Sequence, residues 1–379
     1  MEIYSSLWHV FGALGVVFVG GILAYGLTGY FGLGRGRGLL LYVWHTLFCL
    51  VYLWYSTFNI ADATGYFEYA KMGIWELGLG TAGVNFLTTV IVRTFGLSIL
   101  GAYLFFNIFG AVGLLAFDAS LKQATQGKSS NLKSLATLIV FLPSVSFWSS
   151  AIGKDSLAFM ASGLALWAAL NLGRRWLLMT AAVLVMLVVR PHIAGLMILA
   201  WIFALMVGRE IALPRKLTFA VLLGVAVMAL TPFVVQYVGL AGSFNTVGLF
   251  DYVEVRQAHN MEGGTSVDLA TMSLPMKLFS YVFRPSVFEA RTLFSLVAAF
   301  DNLVLLYLFL AGIWGLLTGQ KSSLGESRTF LWAFVLLTWP VLALTTANLG
   351  ISIRQKWMFA PMLIFLLLSA MGSKKQESI

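Results

Sequence analysis

Along this chain apolar positions do not alternate with polar ones. They run on for about 13–25 residues at a time, as in Leu177–Val189 and Leu293–Leu317. Crossing about 30 Å of hydrocarbon takes roughly 20 apolar residues in a helix. A membrane β-barrel would instead show short alternating segments. The pattern predicts an all-α polytopic integral membrane protein with about eleven transmembrane helices. The spans are expected near 7–27, 39–57, 96–117, 135–150, 155–172, 176–190, 192–208, 217–238, 293–317, 329–347 and 357–371. Those around Lys154 and Arg190 are short, which suits re-entrant or broken helices held inside protein. Segments 58–95 and 239–292 are too long for simple turns. Their scattered aromatic and apolar residues predict short interfacial helices. No repeat, low-complexity tract or soluble domain interrupts the pattern, so residues 1–379 are expected to form a single transmembrane domain.

Composition supports this reading. Charged residues make up 10% of the chain, against roughly 25% in soluble domains. The net charge of +9 would suggest a nucleic-acid partner in a soluble protein, but here it points to loop anchors. Placing Arg35 and Arg37 in the cytoplasm collects 14 of the 24 basic residues on that side, with 4 acids. The net charges become +10 inside and −1 outside. The positive-inside rule then predicts the N-terminus outside and the C-terminus in the cytoplasm. No cleavable signal peptide is expected, and the single cysteine, Cys49, falls inside a span and reveals nothing about redox compartment.

Candidate chemistry concentrates on the predicted outer face. Asp62, Tyr66 and Ala70 are spaced for one face of a helix just beyond the second span. The Asp62 carboxylate could serve as a general base or sugar ligand, or simply as the N-cap of that helix. Glu68 and Glu76 are expected to be solvated. In Phe141–Ser156 a proline, several serines and the Lys154–Asp155 pair interrupt an apolar hairpin. Polar groups at membrane depth are costly and usually face a cavity or a partner, although a neutralised surface pair is the plain alternative. Arg190-Pro191-His192 sets an arginine and a histidine around a helix breaker, and snorkelling would explain the arginine. Arg284-Pro285 with Glu289 and Arg291 repeats the pattern, and Arg354 and Lys356 precede the last span. Asp251, Glu254 and Arg256 form a further charged group.

Lys154, Arg190, Arg284, Arg291, Arg354 and Lys356 all fall on the face where basic residues should be scarce. They either pair with the outer acids or line a site for a lipid-linked phosphate or acidic saccharide. The chain lacks a phosphate-binding P-loop, a His-Glu-x-x-His zinc helix, a Gly-x-Ser-x-Gly elbow and any cysteine cluster. These absences disfavour an ATP-driven pump and a zinc or haem site.

An outer loop opening on Asp62 with Tyr66 and Ala70 resembles the first loop of GT-C glycosyltransferases. Leu142-Pro143-Ser144 to Lys154-Asp155, Arg190-Pro191-His192 and Phe283-Arg284-Pro285 with Phe288-Glu289-Ala290 are similar to segments of membrane proteins from bacterial polysaccharide gene clusters. So is Asn348-Leu349-Gly350 with Arg354 and Pro361. The likeness covers roughly 60–360 in short motifs. It implies a GT-C-like fold in a bacterial inner membrane, a polyprenyl-(di)phosphate-linked saccharide donor and a saccharide acceptor. Other polysaccharide assembly proteins and membrane lipids would be its partners. Asp62 would be the catalytic base, and Tyr66, Lys154, Asp155, Arg190, His192, Arg284, Glu289, Arg291, Arg354 and Lys356 would bind substrate. A divalent cation, Mg or Mn, is the one cofactor such a site could take. Two spans are expected before Asp62 where the family usually has one, and no large soluble domain is expected after the last span within residues 1–379. A transporter or flippase for a lipid-linked or anionic saccharide is the alternative from another class. It would usually show repeat symmetry, and none is found.

Overall fold

In a computed structural model the chain is described over residues 6–207, 272–318, 327–346 and 348–372, with six scattered positions between 214 and 228. Among the described residues there are helices and no strands. In order they are α1 (Leu7–Phe31), α2 (Arg35–Phe58), α3 (Asp62–Met72), α4 (Thr81–Thr89), α5 (Ile99–Ala124), α6 (Ser130–Val140), α7 (Pro143–Ser149), α8 (Lys154–Ala169), α9 (Leu172–Val189) and α10 (Pro191–Val207). After these come α11 (Leu274–Phe283), α12 (Leu293–Leu317), α13 (Ser327–Thr345), α14 (Leu349–Gln355) and α15 (Ala360–Ala370).

Among the described residues seven helices, with α6 and α7 counted as one, are long and apolar enough to cross a membrane. They lie at the expected spans 7–27, 39–57, 96–117, 135–150, 176–190, 293–317 and 329–347. The expected span 155–172 is the sixteen-residue α8, about 24 Å long and short of a full crossing by itself. The expected span 192–208 is the seventeen-residue α10. The last span, 357–371, is the second half of a pair bent by 64° between Met358 and Ala360, which counts as an eighth crossing if the pair is one span. Span 217–238 lies outside the described residues except at single positions.

The chain divides into two compact units, residues 1–191 with 371–379, and residues 192–370. In the first, α5 is the central helix, buried along most of its length between α1, α2 and α8. Close approach depends on glycines. A Cβ on Gly163 of α8 would lie 2.5 Å from the Gly113 carbonyl oxygen of α5, and one on Gly113 would lie 2.8 Å from Met160 Cα. Small residues bring backbones together where lipid supplies no hydrophobic drive between helices. Gly163→Leu should therefore force α5 and α8 apart and cost about 1–3 kcal/mol. Thermal unfolding of the purified protein would show this as a lower Tm, and an unchanged Tm would mean the helices do not meet at these glycines.

Polar links pin the two ends of this unit. At one end the Trp8 indole donates to the Phe95 carbonyl at 3.1 Å. At the other, Arg37 grips Asp118 with two bonds of 2.7 and 2.5 Å, and Lys122 Nζ donates to the Gly32 carbonyl at 2.7 Å. Midway, buried His45 of α2 bonds Asn107 of α5 at 2.6 Å and Ser149 of α7 at 2.9 Å. Such a satisfied network specifies which helix faces meet.

In the second unit α15 is buried throughout and packs on α12, where a Cβ on Gly312 would fall 2.6 Å from Leu367 Cβ. The rings of Tyr281, Phe359 and Trp339 stack in sequence at centroid spacings of 6.2 and 6.0 Å.

Candidate functional site

Three residues separate the end of α2 from the start of α3. Ala61 is its cap residue, so Asp62 is not the N-cap but the first residue of the helix. There its charge meets the positive end of the helix dipole. Asp62 is exposed, Tyr66 one turn on is buried, and Ala70 beyond it is fully buried. The face thus runs from solvent into the protein.

Three more elements come to Tyr66. Gly80 has φ 69°, a left-handed value that favours glycine, and its N–H donates to the Val188 carbonyl at 2.7 Å. A Cβ on Gly83 would also sit 2.9 Å from that carbonyl. Helix α4 therefore lies against the end of α9, with Thr81 at its start and Arg190 just past Val189. Lys154 Nζ at the start of α8 donates to Thr81 Oγ1 at 2.7 Å. Arg190 Nη2 donates to Asp155 Oδ1 at 2.8 Å. Before them, Gly153 is close enough that a Cβ there would touch the Tyr66 ring at 3.7 Å.

The Tyr66 hydroxyl registers the whole group. Burial, then the Asp62 and Asp155 carboxylates, push its pKa up to about 12, while Arg190 and a hydrogen bond with Thr81 act in the opposite direction. At neutral pH it remains a protonated hydrogen-bond donor. Arg190 uses Nη2 on Asp155, yet its buried Nε has no hydrogen-bond partner among the described residues. A guanidinium with part of its fork unused is suited to a phosphate or carboxylate oxygen.

The structure thus brings together Asp62, Tyr66, Lys154, Asp155 and Arg190, all in the first unit, although they span more than a hundred residues. Glu68 pairs with Lys71 at 3.1 Å in the open, and Glu76 accepts from Tyr69 at 3.3 Å. On another face of α3 a cavity of about 550 Å³ is lined by Phe67, Lys71, Arg93 and Ser98. Arg93 sits in a π-helical turn, Val90–Thr94, a distortion that often marks functional positions.

In the second unit, Arg284 binds Glu289 through Nε at 2.8 Å and through Nη2, and Ser286 N–H donates to the other carboxylate oxygen at 2.8 Å. The guanidinium holds the Glu289 carboxyl down at about pKa 2. This pair closes a loop. Lys356 is fully buried and donates to Asn302 Oδ1 and to the Val282 carbonyl, while Asn302 donates to the Pro285 carbonyl at 3.0 Å. Arg291 is exposed, His192 is half-buried in the first turn of α10, and Arg354 is half-buried near the end of α14. Asp251, Glu254 and Arg256 lie outside the described residues.

Sequence reasoning missed five residues that the structure draws into these networks. Thr81 carried no motif. His45 and Asn107 are hidden within apolar runs. Asp301 and Asn302 did leave a signal, two adjacent polar residues in a 25-residue apolar helix, where such groups are costly. Among the described residues no three His, Cys, Asp or Glu side chains gather as a metal-holding group. No protein-family model, curated protein or solved structure matches this chain.

Proposed function

We propose that this is a GT-C-like membrane glycosyltransferase or polysaccharide polymerase that uses a polyprenyl-(di)phosphate-linked saccharide. The supporting observation is the half-used Arg190 guanidinium beside Lys154, in the group that also holds Asp62 and Tyr66. A phosphate leaving group needs cations, and an attacking hydroxyl needs a base. Here both kinds of group act on one buried tyrosine.

In this reading the acceptor hydroxyl oxygen attacks the anomeric carbon of the donor sugar, and the bond from that carbon to the phosphate oxygen breaks. Asp62 takes the hydroxyl proton, and the polyprenyl (di)phosphate leaves with the bonding electrons. Lys154 and Arg190 stabilise the charge that develops on it, an electrostatic contribution that grows in the transition state. Tyr66 donates a hydrogen bond to a substrate oxygen. Mg or Mn, if used, would be held by Asp62 and would supply positive charge to the leaving phosphate. The resemblance also assigns substrate binding to His192, Arg284, Glu289, Arg291, Arg354 and Lys356 of the second unit.

The test is saccharide transfer by purified protein in vesicles supplied with lipid-linked donor. Lengthened saccharide and released polyprenyl diphosphate are expected. Donor moved across the bilayer without transfer would favour a transporter instead.

The proposed place is the inner membrane of a bacterium, with the N-terminus outside and the C-terminus inside. In the first unit the Arg37 and Lys122 end carries Arg35, Lys128, Lys133, Arg174 and Arg175 as well, with Asp118 as its acid. At the Asp62 end the charges are balanced. Single cysteines test the orientation against a quiet background, because native Cys49 is buried. Gly65→Cys should react with an impermeant maleimide applied outside, and Ser129→Cys only after lysis. The reverse pattern would move the Asp62 group to the cytoplasm and remove the lipid-linked donor of the outer face.

A further inference from the structure

The basic end of the first unit holds a half-open cavity of about 630 Å³ that takes no part in the chemistry proposed at Asp62. Lys154 and Trp167 mark the two ends on α8, roughly 20 Å apart along its axis. The cavity lies between the α1–α2 turn, the end of α5 and the start of α6, with Trp167 of α8 in its wall.

Its charge is unbalanced. Arg37, Lys122 and Lys133 line it, and Asp118 is the acid among the lining residues. Asp118 is taken up by the two bonds from Arg37. Lys122 donates to a neutral carbonyl, Gly32, and among the described residues neither lysine pairs with a carboxylate. Two positive charges are left over. The wall is also amphipathic: Phe31, Leu121 and Trp167 supply apolar surface, and Gln123 and Gln126 supply amides. The Trp167 indole Nε1 is buried and has no hydrogen-bond acceptor among the described residues. Arg175 covers the same ring at 3.8 Å and donates to the Trp167 carbonyl, which keeps the wall in place. Helix ends such as these lie at headgroup depth, where basic pockets between helices hold phosphate groups.

We propose that this cavity is a binding site for a phosphate anion, held by the Lys122 and Lys133 ammonium groups. The phosphate is either the headgroup of an anionic phospholipid whose chain lies along Phe31 and Leu121, or a free phosphate from the aqueous side. The site is independent of the activity proposed at Asp62.

Native mass spectrometry of the purified full chain tests it with two probes, phosphatidylglycerol and inorganic phosphate, and phosphatidylethanolamine as control. Each basic residue near the surface contributes about 1 kcal/mol of attraction, so Lys133→Gln should weaken binding about fivefold and Lys122→Gln/Lys133→Gln roughly thirtyfold. Lys133→Arg, which keeps the charge, should bind as the wild type does. Gel filtration shows whether each variant is folded, and Lys133→Gln alone suffices if the double variant is not. Loss confined to phosphatidylglycerol identifies the lipid as the source of the phosphate. Loss of inorganic phosphate binding, without any preference for phosphatidylglycerol over the control, identifies the free anion. Equal binding of both probes by the wild type and Lys133→Gln would overturn the site.

Discussion

Asp62→Asn should slow saccharide transfer by about two to four orders of magnitude, the usual contribution of a positioned general base. The substitution keeps the size of the side chain and removes its basicity. Its structural cost should be small, because Asp62 is exposed and is not the cap residue of α3. Losing a charge from the first turn of an exposed helix costs about 0.3–1 kcal/mol. The variant should therefore insert, fold and bind the lipid-linked donor as before. Transfer and donor binding, measured separately on purified protein, decide the matter. Near-normal transfer would remove Asp62 from catalysis. Asp155, the other carboxylate acting on Tyr66, would then be the next candidate. Glu289 would not, because Arg284 and the Ser286 N–H already hold both of its oxygens.

Arg190→Ala should weaken donor binding and turnover together. A phosphate partner acts in the ground state as well as the transition state, so both parameters fall. Truncating one member of a desolvated charge pair costs about 2–5 kcal/mol, which is roughly thirtyfold to several-thousandfold in binding. Part of that loss would come from leaving Asp155 without its partner at 2.8 Å. Asp155→Asn/Arg190→Ala separates the two contributions. If the double variant regains donor binding, Arg190 only neutralises Asp155 and the phosphate role fails. If it stays as weak as Arg190→Ala, the guanidinium binds the donor. Arg190→Lys should rescue little, since an ammonium carries the charge without the fork.

How far the site could be read in the sequence differs from residue to residue. Asp62 and Tyr66 were legible because a spacing of four defines a helical face wherever a helix forms, and α3 does form there. Lys154, Asp155 and Arg190 stood out as charges bordering apolar runs. Their pairing was not legible. Asp155 could equally have capped α8, and Arg190 could have snorkelled to lipid. Their meeting depends on α4 packing close against the end of α9 through Gly80 and Gly83, a contact between segments more than a hundred residues apart. Thr81, which takes the Lys154 hydrogen bond, was invisible for the same reason. Arg284, Glu289 and Lys356 were selected for their charge. The structure spends that charge internally, Arg284 on Glu289 and Lys356 on Asn302.

By itself the sequence determined that the chain is helical and repeatedly apolar at membrane-spanning length. It also determined where the longest helices lie and which loops collect the basic residues. These are one-dimensional properties: a helix satisfies its own backbone within one segment, and hydropathy accumulates residue by residue. Only the tertiary structure decided that α8 is too short to cross alone, and that the last span bends by 64°. It also decided that Asp62, Tyr66, Lys154, Asp155 and Arg190 share one place, while a separate basic cavity opens at the other end of the first unit. The physical reason is that these outcomes rest on which helix faces touch. Glycine contacts such as Gly113 with Gly163, and buried bonds such as His45 with Asn107, set those faces, and they leave no periodic trace along the chain.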